Sequence, residues 1–412
     1  MALIIFGVRQ REFYTIFQKN FFIDKASILK PINVKKVFGP EAFGLLELIN
    51  SQELDCFIVG GALRNYFLGK VFTDIDLATN GCPSEIIQIL KKEGLEFDKR
   101  ASKYGTLFVK FMKKSFQITS FRKDIETFGR SANVKFSRDI TDDAKRRDFT
   151  FNAIYCSKEG NLVDPLDSFE DLKKKKLRFI GNPDKRIKED FLRILRFFRL
   201  IAELDLNYQN VEKNYLKVIG KHKDKLDMIS KERISSELKR ILLSVDPTIS
   251  LECLEEAKIY QEFLGSFNKK RIKSLILFEK KYKLFPILER RVLSLNIKNP
   301  EYFLSKKEKK YCEVLKESLG KMRKLKYLGF ILGFEKALDC LIINAVRNDL
   351  KITDQELNFL KEGSKKIFPL TFSFINKKLN NEVTAGEKFE YLKNIWLESD
   401  FKISEKKLIK YL

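Results

Sequence analysis

The stretch that decides the fold is residues 58–79, IVGGALRNYFLGKVFTDIDLAT. The apolar run at 55–59 predicts a short buried strand that ends at the glycine pair Gly60 and Gly61. A helix over 62–68 should follow, and residues 74–78 predict another strand. Because successive side chains of a strand alternate between its faces, Asp74 and Asp76 should point to the same side. The stretch therefore combines a strand–glycine–helix junction with a pair of carboxylates.

Both features suit a phosphorylated ligand with a metal ion. With no side chains at the glycine pair, a triphosphate can approach the backbone N–H groups at the positive end of the helix, where Arg64 lies one turn along. Two neighbouring carboxylates repel each other unless a cation lies between them, which suits Mg²⁺. Each feature has a plain alternative: close strand–helix packing for the glycines, and a turn or surface position for the acids. Their combination favours a nucleotide site.

The composition restricts the chemistry further. The chain has 412 residues and a formal charge of +24, which attracts polyanions such as nucleic acid. The nucleotide composition of a genome can by itself produce the same excess of lysine. The single histidine, His222, excludes chemistry that needs several histidines, and it is expected at the solvated surface. The six cysteines lie far apart and should be reduced and mostly buried. No run suits a membrane span or a signal peptide, so the expected compartment is the cytoplasm.

Two further motifs carry polar residues in fixed spacing. The first is DDAKRRDFTFNAI at 142–154, and the second is IKEDFLRILRFFRL at 187–200. The second predicts one helix that is apolar except for a polar stripe at every third residue. Such a helix lies inside the protein, so its arginines must face a cleft or buried partners. The stripe comprises Asp190, Arg193, Arg196 and Arg199.

Together the motifs resemble those of the nucleotidyltransferase superfamily, and within it the class II tRNA CCA-adding enzymes and bacterial poly(A) polymerases. The matching family patterns are GGxxRD followed by DxD, RRDFTxNA and EDxxRxxR, and the resemblance covers about residues 50–245. Two positions depart from them. Asn65 stands where the family has Asp, a difference expected on the helix surface, and Gln117 stands where the superfamily usually has a third metal-binding acid.

The resemblance implies a role for each motif. Asp74 and Asp76 would be the catalytic, Mg²⁺-binding residues, and Asp148 would accept a ribose hydroxyl. Asp190 as acceptor beside Arg193 as donor would admit C and A, because U or G would leave buried polar groups unpaired. The expected nucleotide-binding residues are Gly60, Gly61, Arg64, Arg147, Asp148, Asp190, Arg193, Arg196 and Arg199.

The expected fold class is α+β, with a nucleotidyltransferase head built on a mixed or antiparallel sheet and followed by an all-α neck, body and tail. The expected boundaries are an extension at 1–36, the head at 37–165, the neck at 166–250, the body at 251–345 and the tail at 346–412. Within the head, helices are expected at 41–50 and 83–92, strands at 105–113 and 115–121, and a hairpin turn at 159–161. Residues 122–141 show no steady period and predict a mobile loop.

The expected function is template-independent addition of CCA to the 3′ end of tRNA from CTP and ATP. Lysines of the body and tail should bind the acceptor and TψC arms. Addition of CC or of A alone, or of poly(A), stays an alternative, although residues 81–112 lack the basic-basic-Phe signature of the poly(A) polymerases. A further alternative is a non-catalytic tRNA-binding protein of the same fold. The oligomeric state is not predicted.

Overall fold

The computed structural model describes residues 30–128, 131–300, 303–320, 322, 324–379 and 382–412. The chain divides into two compact units. The N-terminal unit runs to Glu237 and includes Ile249–Ile259, and the C-terminal unit comprises Leu238–Thr248 and Tyr260–Leu412. The five boundaries expected from the sequence stay predictions, and residues 1–29 of the expected extension lie outside the described residues.

The N-terminal unit is built around a seven-stranded sheet in the order β3-β4-β5-β2-β1-β8-β9. Only β2 and β5 pair in parallel, so the sheet is mixed, as predicted. A separate ribbon joins β6 to β7. The nine strands are β1 Cys56–Val59, β2 Asp76–Thr79, β3 Glu96–Asp98, β4 Thr106–Phe111, β5 Lys114–Ser120, β6 Arg122–Phe128, β7 Ser131–Phe136, β8 Tyr155–Cys156 and β9 Leu162–Val163.

Helices of this unit cover the sheet and continue beyond it. They are α1 Val34–Phe38, α2 Pro40–Asn50, α3 Gly61–Phe67, α4 Pro83–Lys92, α5 Ile140–Arg146, α6 Ser168–Lys173, α7 Pro183–Glu189, α8 Leu192–Glu203 and α9 Lys213–Gly220. Helix α4 has the predicted bounds, because Pro83 presets the first turn and the backbone N–H of Cys82 donates to Glu85 at 2.7 Å. The turn before β9 is also confirmed.

The prediction of a mobile loop over residues 122–141 was wrong. Strands β6 and β7 form an antiparallel hairpin there, and α5 begins at Ile140. The register of the hairpin shifts between Asp124 and Glu126. Such a shift disturbs the alternation of faces by which a strand is recognised in a sequence. The ribbon also lies outside the main sheet.

The prediction of one helix through residues 187–200 was also wrong. Helix α7 ends at Glu189, Asp190 has an extended backbone, and α8 begins at Leu192. The carboxylate of Asp190 accepts the backbone N–H of Leu192 at 3.1 Å, as an N-terminal cap does. The apolar pattern crosses this break unchanged, because both helices bury side chains in the same unit.

The remaining helices are α10 Lys231–Leu242, α11 Thr248–Glu256, α12 Tyr260–Leu264, α13 Lys269–Lys281, α14 Leu288–Leu295, α15 Lys306–Leu319, α16 Leu325–Leu332, α17 Phe334–Asn348, α18 Asp354–Ser364, α19 Phe372–Leu379, α20 Glu382–Glu398 and α21 Glu405–Ile409. The C-terminal unit is therefore helical throughout its described part, as the sequence predicts. Trp396 lies in one of its apolar clusters, in edge contact with Phe401 at 4.8 Å between ring centroids. No helix in the described part of the chain has the length and hydropathy of a membrane span.

Candidate nucleotide site

The antiparallel pairing of β1 and β2 brings the two halves of the deciding stretch together. Val59, the last residue of β1, pairs with Asp76, the first residue of β2, so Gly60 comes directly beside the carboxylates. Gly60 has φ +79°, a conformation that favours glycine. A Cβ built there would lie 3.6 Å from Oδ2 of Asp76 and 3.8 Å from Nη1 of Arg147. Gly60 therefore keeps the space between this carboxylate and this guanidinium open.

The carboxylate pair has the predicted alternation. Ile75 is buried, whereas Asp74 is exposed and Asp76 is half-buried. Asp74 lies just before β2, since the strand begins at Asp76 rather than at residue 74. Burial and the negative charge of Asp74 both raise the pKa of Asp76, burial being the larger effect, whereas the positive charge of Arg147 lowers it. The pKa of Asp76 therefore lies above its ordinary value. A cation at this point would offset both unfavourable effects.

Gln117 lies beside Asp76, because β5 pairs with β2 in parallel register at these two residues. The third acid of the superfamily is therefore absent from the place next to the carboxylate pair. Among the described residues, no group of three or more His, Cys, Asp or Glu side chains could hold a metal. Two carboxylates still suit Mg²⁺, which prefers one or two carboxylates and completes its shell with phosphate oxygens and water. The residues present thus fit a metal shared with a nucleotide.

Arg64 is buried and tied to two amides. Its Nη1 donates to Asn152 at 2.7 Å, and its Nε and Nη2 donate to the side-chain oxygen of Asn65 at 3.1 and 3.0 Å. Asn65 in turn donates to the carbonyl of Val71 at 3.0 Å. Asn65 is half-buried on α3, and its amide connects Arg64 to the chain that leads to β2.

Arg147 is held by a buried acid that the motif comparison did not single out. Asp143 accepts from Nε and Nη2 of Arg147 at 3.0 and 2.8 Å, from Tyr155 at 2.7 Å and from Arg146. Burial alone would raise the pKa of Asp143, but the two guanidiniums and the tyrosine hydroxyl lower it to about 2. Asp143 therefore stays ionised and fixes Arg147, whose Nη1 faces Gly60.

Asp148 is buried and paired with the helix that follows. Its Oδ1 accepts the backbone N–H of Phe149 at 2.9 Å and the amide of Asn152 at 3.0 Å. Its Oδ2 lies 2.8 Å from Nη2 of Arg196, and no described donor is aligned on it as a hydrogen bond. Burial would raise the pKa of Asp148, but chiefly Arg196 and Asn152 hold it far below its ordinary value. Asp148 therefore stays ionised, with its Oδ2 buried against the guanidinium of Arg196.

The two residues expected to select the base lie in different ion pairs. Asp190 lies 3.0 Å from Arg233 through Oδ2, whereas Nη1 of Arg193 lies 2.6 Å from Oε2 of Glu189. Arg193 is buried at 8% exposure, and its Nη1 also donates to the carbonyl of Arg186 at 2.6 Å. The break at Asp190 means that these side chains leave separate backbone segments rather than one helical face.

Arg199 differs from the other expected nucleotide-binding residues. Its guanidinium lies 2.8 Å from Glu237 and 3.6 Å from Glu203, and all these side chains are largely buried. The contacts place it among acids of the helical part of the unit. Its expected contact with a nucleotide stays a prediction.

Sequence reasoning missed Asp143 and Arg186, and it misplaced His222. Asp143 stands in the quoted motif, and an acid three and four residues before a pair of arginines was the available signal. Arg186 has no such signal, because its bonds to the backbone carbonyls of Arg146 and Arg147 are long-range. Its other bond, to Glu189, lies within one helical turn. His222 is partly buried, with Nε2 2.7 Å from Asp184, and is therefore not the solvated residue expected. All six cysteines are free and five are buried, as predicted.

Comparisons with known proteins agree with this geometry. Residues 56–178 match the poly A polymerase head domain, and residues 210–270 match the probable RNA and SrmB-binding site of polymerase A. The chain is 38% identical over 200 residues to the mitochondrial CCA tRNA nucleotidyltransferase 1 of Homo sapiens, covering 48% of this chain and 46% of that protein. It is 35% identical over 239 residues to the CCA-adding enzyme of Enterococcus faecalis, covering 55% and 56%.

Among solved structures, the Bacillus stearothermophilus CCA-adding enzyme in complex with CTP has a TM-score of 0.70 at 22% identity, covering 90% of this chain and 95% of that one. The Thermotoga maritima CCA-adding enzyme complexed with tRNA has a TM-score of 0.64 at 17% identity, covering 93% and 96%. The chain spans about half the length of the curated relatives it matches. Residues 56–178 therefore form a poly A polymerase head domain, in a chain whose fold is similar to that of CCA-adding enzymes of known structure.

Proposed function

We propose that this protein adds CCA to the 3′ end of tRNA from CTP and ATP. The observation that carries the proposal is the convergence of Gly60, Asp76 and Arg147 at the junction of β1 and β2, with an open space among them. An anionic phosphate fits between a guanidinium and a metal-binding carboxylate. The names of the relatives, CCA-adding enzyme and CCA tRNA nucleotidyltransferase, support the same reaction.

In the proposed reaction, the 3′-hydroxyl oxygen of the RNA attacks the α-phosphorus of the nucleotide. The new P–O bond forms as the bond to pyrophosphate breaks, and the hydroxyl proton leaves to solvent. Mg²⁺ at Asp74 and Asp76 would supply charge neutralisation at the attacking and leaving oxygens. Arg147, fixed by Asp143, would hold the phosphates, and the carboxylate of Asp148 would accept a ribose hydroxyl.

Base selection is assigned to Asp190 and Arg193. Cytosine and adenine present an amino donor beside a ring-nitrogen acceptor, which an Asp acceptor and an Arg donor complement. Uracil and guanine present the reverse pattern. They would leave unpaired the N–H group of Arg193 that faces the base, at a cost of about 1–3 kcal/mol. Glu189 and the carbonyl of Arg186 hold Arg193 on one nitrogen, which defines the direction in which its other N–H groups can donate.

Binding of tRNA is assigned chiefly to the C-terminal unit. Phosphate contacts from lysines give affinity without sequence specificity and make it fall with salt. Exposed lysines occur on several helices and loops of this unit: Lys306, Lys307, Lys365, Lys366, Lys377 and Lys378. The acceptor and TψC arms are the proposed contacts. We keep the cytoplasm as the proposed compartment, although two of the relatives are named as mitochondrial proteins.

The test is extension of a tRNA transcript that lacks CCA, with Mg²⁺ and CTP, ATP or both, read at single-nucleotide resolution. Three added residues with both nucleotides support the proposal. A stop after CC indicates a CC-adding enzyme, addition of one A to tRNA ending in CC indicates an A-adding enzyme, and a long A ladder indicates a poly(A) polymerase. Binding of tRNA with no extension favours the non-catalytic alternative.

The variant Asp76→Ala should abolish extension while tRNA binding stays close to that of the wild type, because the carboxylate serves the metal and not the RNA. The matched control is Asp98→Ala, on edge strand β3 of the same sheet, where the acid pairs with Arg100 at the surface. Substantial turnover by Asp76→Ala would exclude the assigned metal site.

A further inference from the structure

Arg186 connects the two motifs of the nucleotide site although it belongs to neither. It lies on α7, is buried at 8% exposure, and donates through Nη2 to the backbone carbonyls of Arg146 and Arg147. Its Nη1 donates to Glu189. One guanidinium thus bonds the backbone that leads into Asp148 and the acid that precedes Asp190.

The same cluster holds Arg193. Oε2 of Glu189 accepts from Arg193 at 2.6 Å and also from Arg186, so one carboxylate oxygen serves two guanidiniums. The backbone carbonyl of Arg186 accepts the same Nη1 of Arg193 at 2.6 Å. Burial and the charge of Arg193 lower the pKa of Arg186 to about 10, so the side chain is still charged at neutral pH. Arg186 therefore contacts the support of Arg193 through both its side chain and its backbone.

A planar guanidinium is suited to this place because its donors lie in a fixed fork and can bond three acceptors at once. A lysine in the same position keeps the charge but has one nitrogen on a flexible stem, and it cannot reproduce the fork. Loss of the fork would let Glu189 move with respect to the carbonyls of Arg146 and Arg147. The direction of the donors on Arg193 would then no longer be tied to the position of Asp148.

We propose that Arg186 is a positioning residue for nucleotide selection, which aligns the base-reading donors of Arg193 with the ribose-reading acceptor of Asp148. The inference rests on the proposed function. Arg186 touches neither base nor sugar in this role. It fixes the distance and angle between the two residues that do, so a nucleotide with the correct base also presents its ribose correctly.

The test compares R186K with the wild type in single-nucleotide incorporation into tRNA. We expect the ratio of kcat/KM for CTP over UTP to fall on the order of tenfold, the effect of one misaligned buried hydrogen bond. The ratio for CTP over dCTP should fall as well, because base and sugar are aligned by the same residue. The KM for tRNA should stay within about twofold of the wild type, since the proposed phosphate contacts that set RNA affinity belong to the other unit. Both kcat/KM values of a ratio are measured on the same preparation of a variant, so a smaller fraction of folded protein lowers both equally and leaves the ratio unchanged.

The matched control is R291K in the C-terminal unit. Arg291 is buried at 1% exposure and donates to the carbonyls of Leu242, Ser244 and Val245 and to Glu279, a comparable set of partners. This variant should lower stability and leave both selection ratios unchanged. Wild-type ratios in R186K, or an equal loss of selection in R291K, would overturn the positioning role alone. A wild-type protein that extends no tRNA would refute the proposed function, and this role with it.

Discussion

The acid that fixes Arg147 can be tested by removing its charge at constant shape. In Asp143→Asn, the side chain keeps its size but loses the negative charge that pairs with both Arg146 and Arg147. Asp143 is fully buried, so water cannot replace the lost partner. The variant should be destabilised, and its Arg147 should no longer be held beside Gly60.

The magnitude follows from the pKa. Asp143 falls from an ordinary value of 3.8 to about 2 on folding, and at about 1.4 kcal/mol per unit this contributes about 2 kcal/mol at neutral pH. Because the pKa is lower in the folded state, the contribution is complete above about pH 5, falls to roughly half near pH 3, and is nearly lost at pH 2. Removal of one partner from a buried ion pair lowers the free energy of unfolding by about 3–5 kcal/mol, so about 2 kcal/mol is the smallest loss we expect for this variant.

The assay is urea unfolding at pH 7, followed by far-UV circular dichroism. Trp396 is the single tryptophan and belongs to the C-terminal unit, so its fluorescence reports the unmutated unit in the same sample. The matched control is Asp142→Asn on the same helix, where the carboxylate bonds Ser137 and Lys123 near the surface and should cost under about 1 kcal/mol.

The reasoning fails if Asp143→Asn and Asp142→Asn lose equal stability. It also fails if the difference between wild type and Asp143→Asn shrinks between pH 7 and pH 5, where the carboxyl group is ionised in both the folded and the unfolded chain. Extension activity should fall along with stability in Asp143→Asn, because the guanidinium proposed to hold the phosphates loses its charged partner.

Three further predictions concern separate parts of the chain. Gly60→Ala should slow extension strongly, because φ +79° costs a non-glycine residue about 1–3 kcal/mol and the new Cβ fills the phosphate space; wild-type kinetics would contradict this. Arg193→Ala should relax base choice, seen as increased UTP incorporation relative to CTP, and unchanged selection would exclude the assigned donor. Gly363→Ala should shift the urea midpoint of Trp396 fluorescence downward by an amount equivalent to about 3 kcal/mol, because the Cβ would lie 1.9 Å from the carbonyl oxygen of Lys326; an unshifted midpoint would show that α16 and α18 can separate at little cost.

Much of the fold is readable from local pattern. The glycine pair at 60 and 61, the helix at 83–92 and the strands on either side of residue 113 were predicted because turn residues and alternation act over a few residues. The hairpin of β6 and β7 was not, since a register shift interrupts its alternation. The break at Asp190 was not predicted, because the apolar period continues on both sides of it.

The site divides in the same way. The sequence by itself supplied the candidates for the chemistry, which stay predictions: two carboxylates two residues apart, and the arginine and aspartate of the second motif. It also supplied the resemblance of these motifs to a known family. Only the tertiary structure decided their partners. It placed Gln117 beside Asp76, bonded Arg64 to Asn152, and joined Arg186 to the carbonyls of Arg146 and Arg147. The physical reason is range: hydrogen bonds between residues 39 to 88 positions apart depend on how strands and helices pack, and no local period of the sequence records that packing.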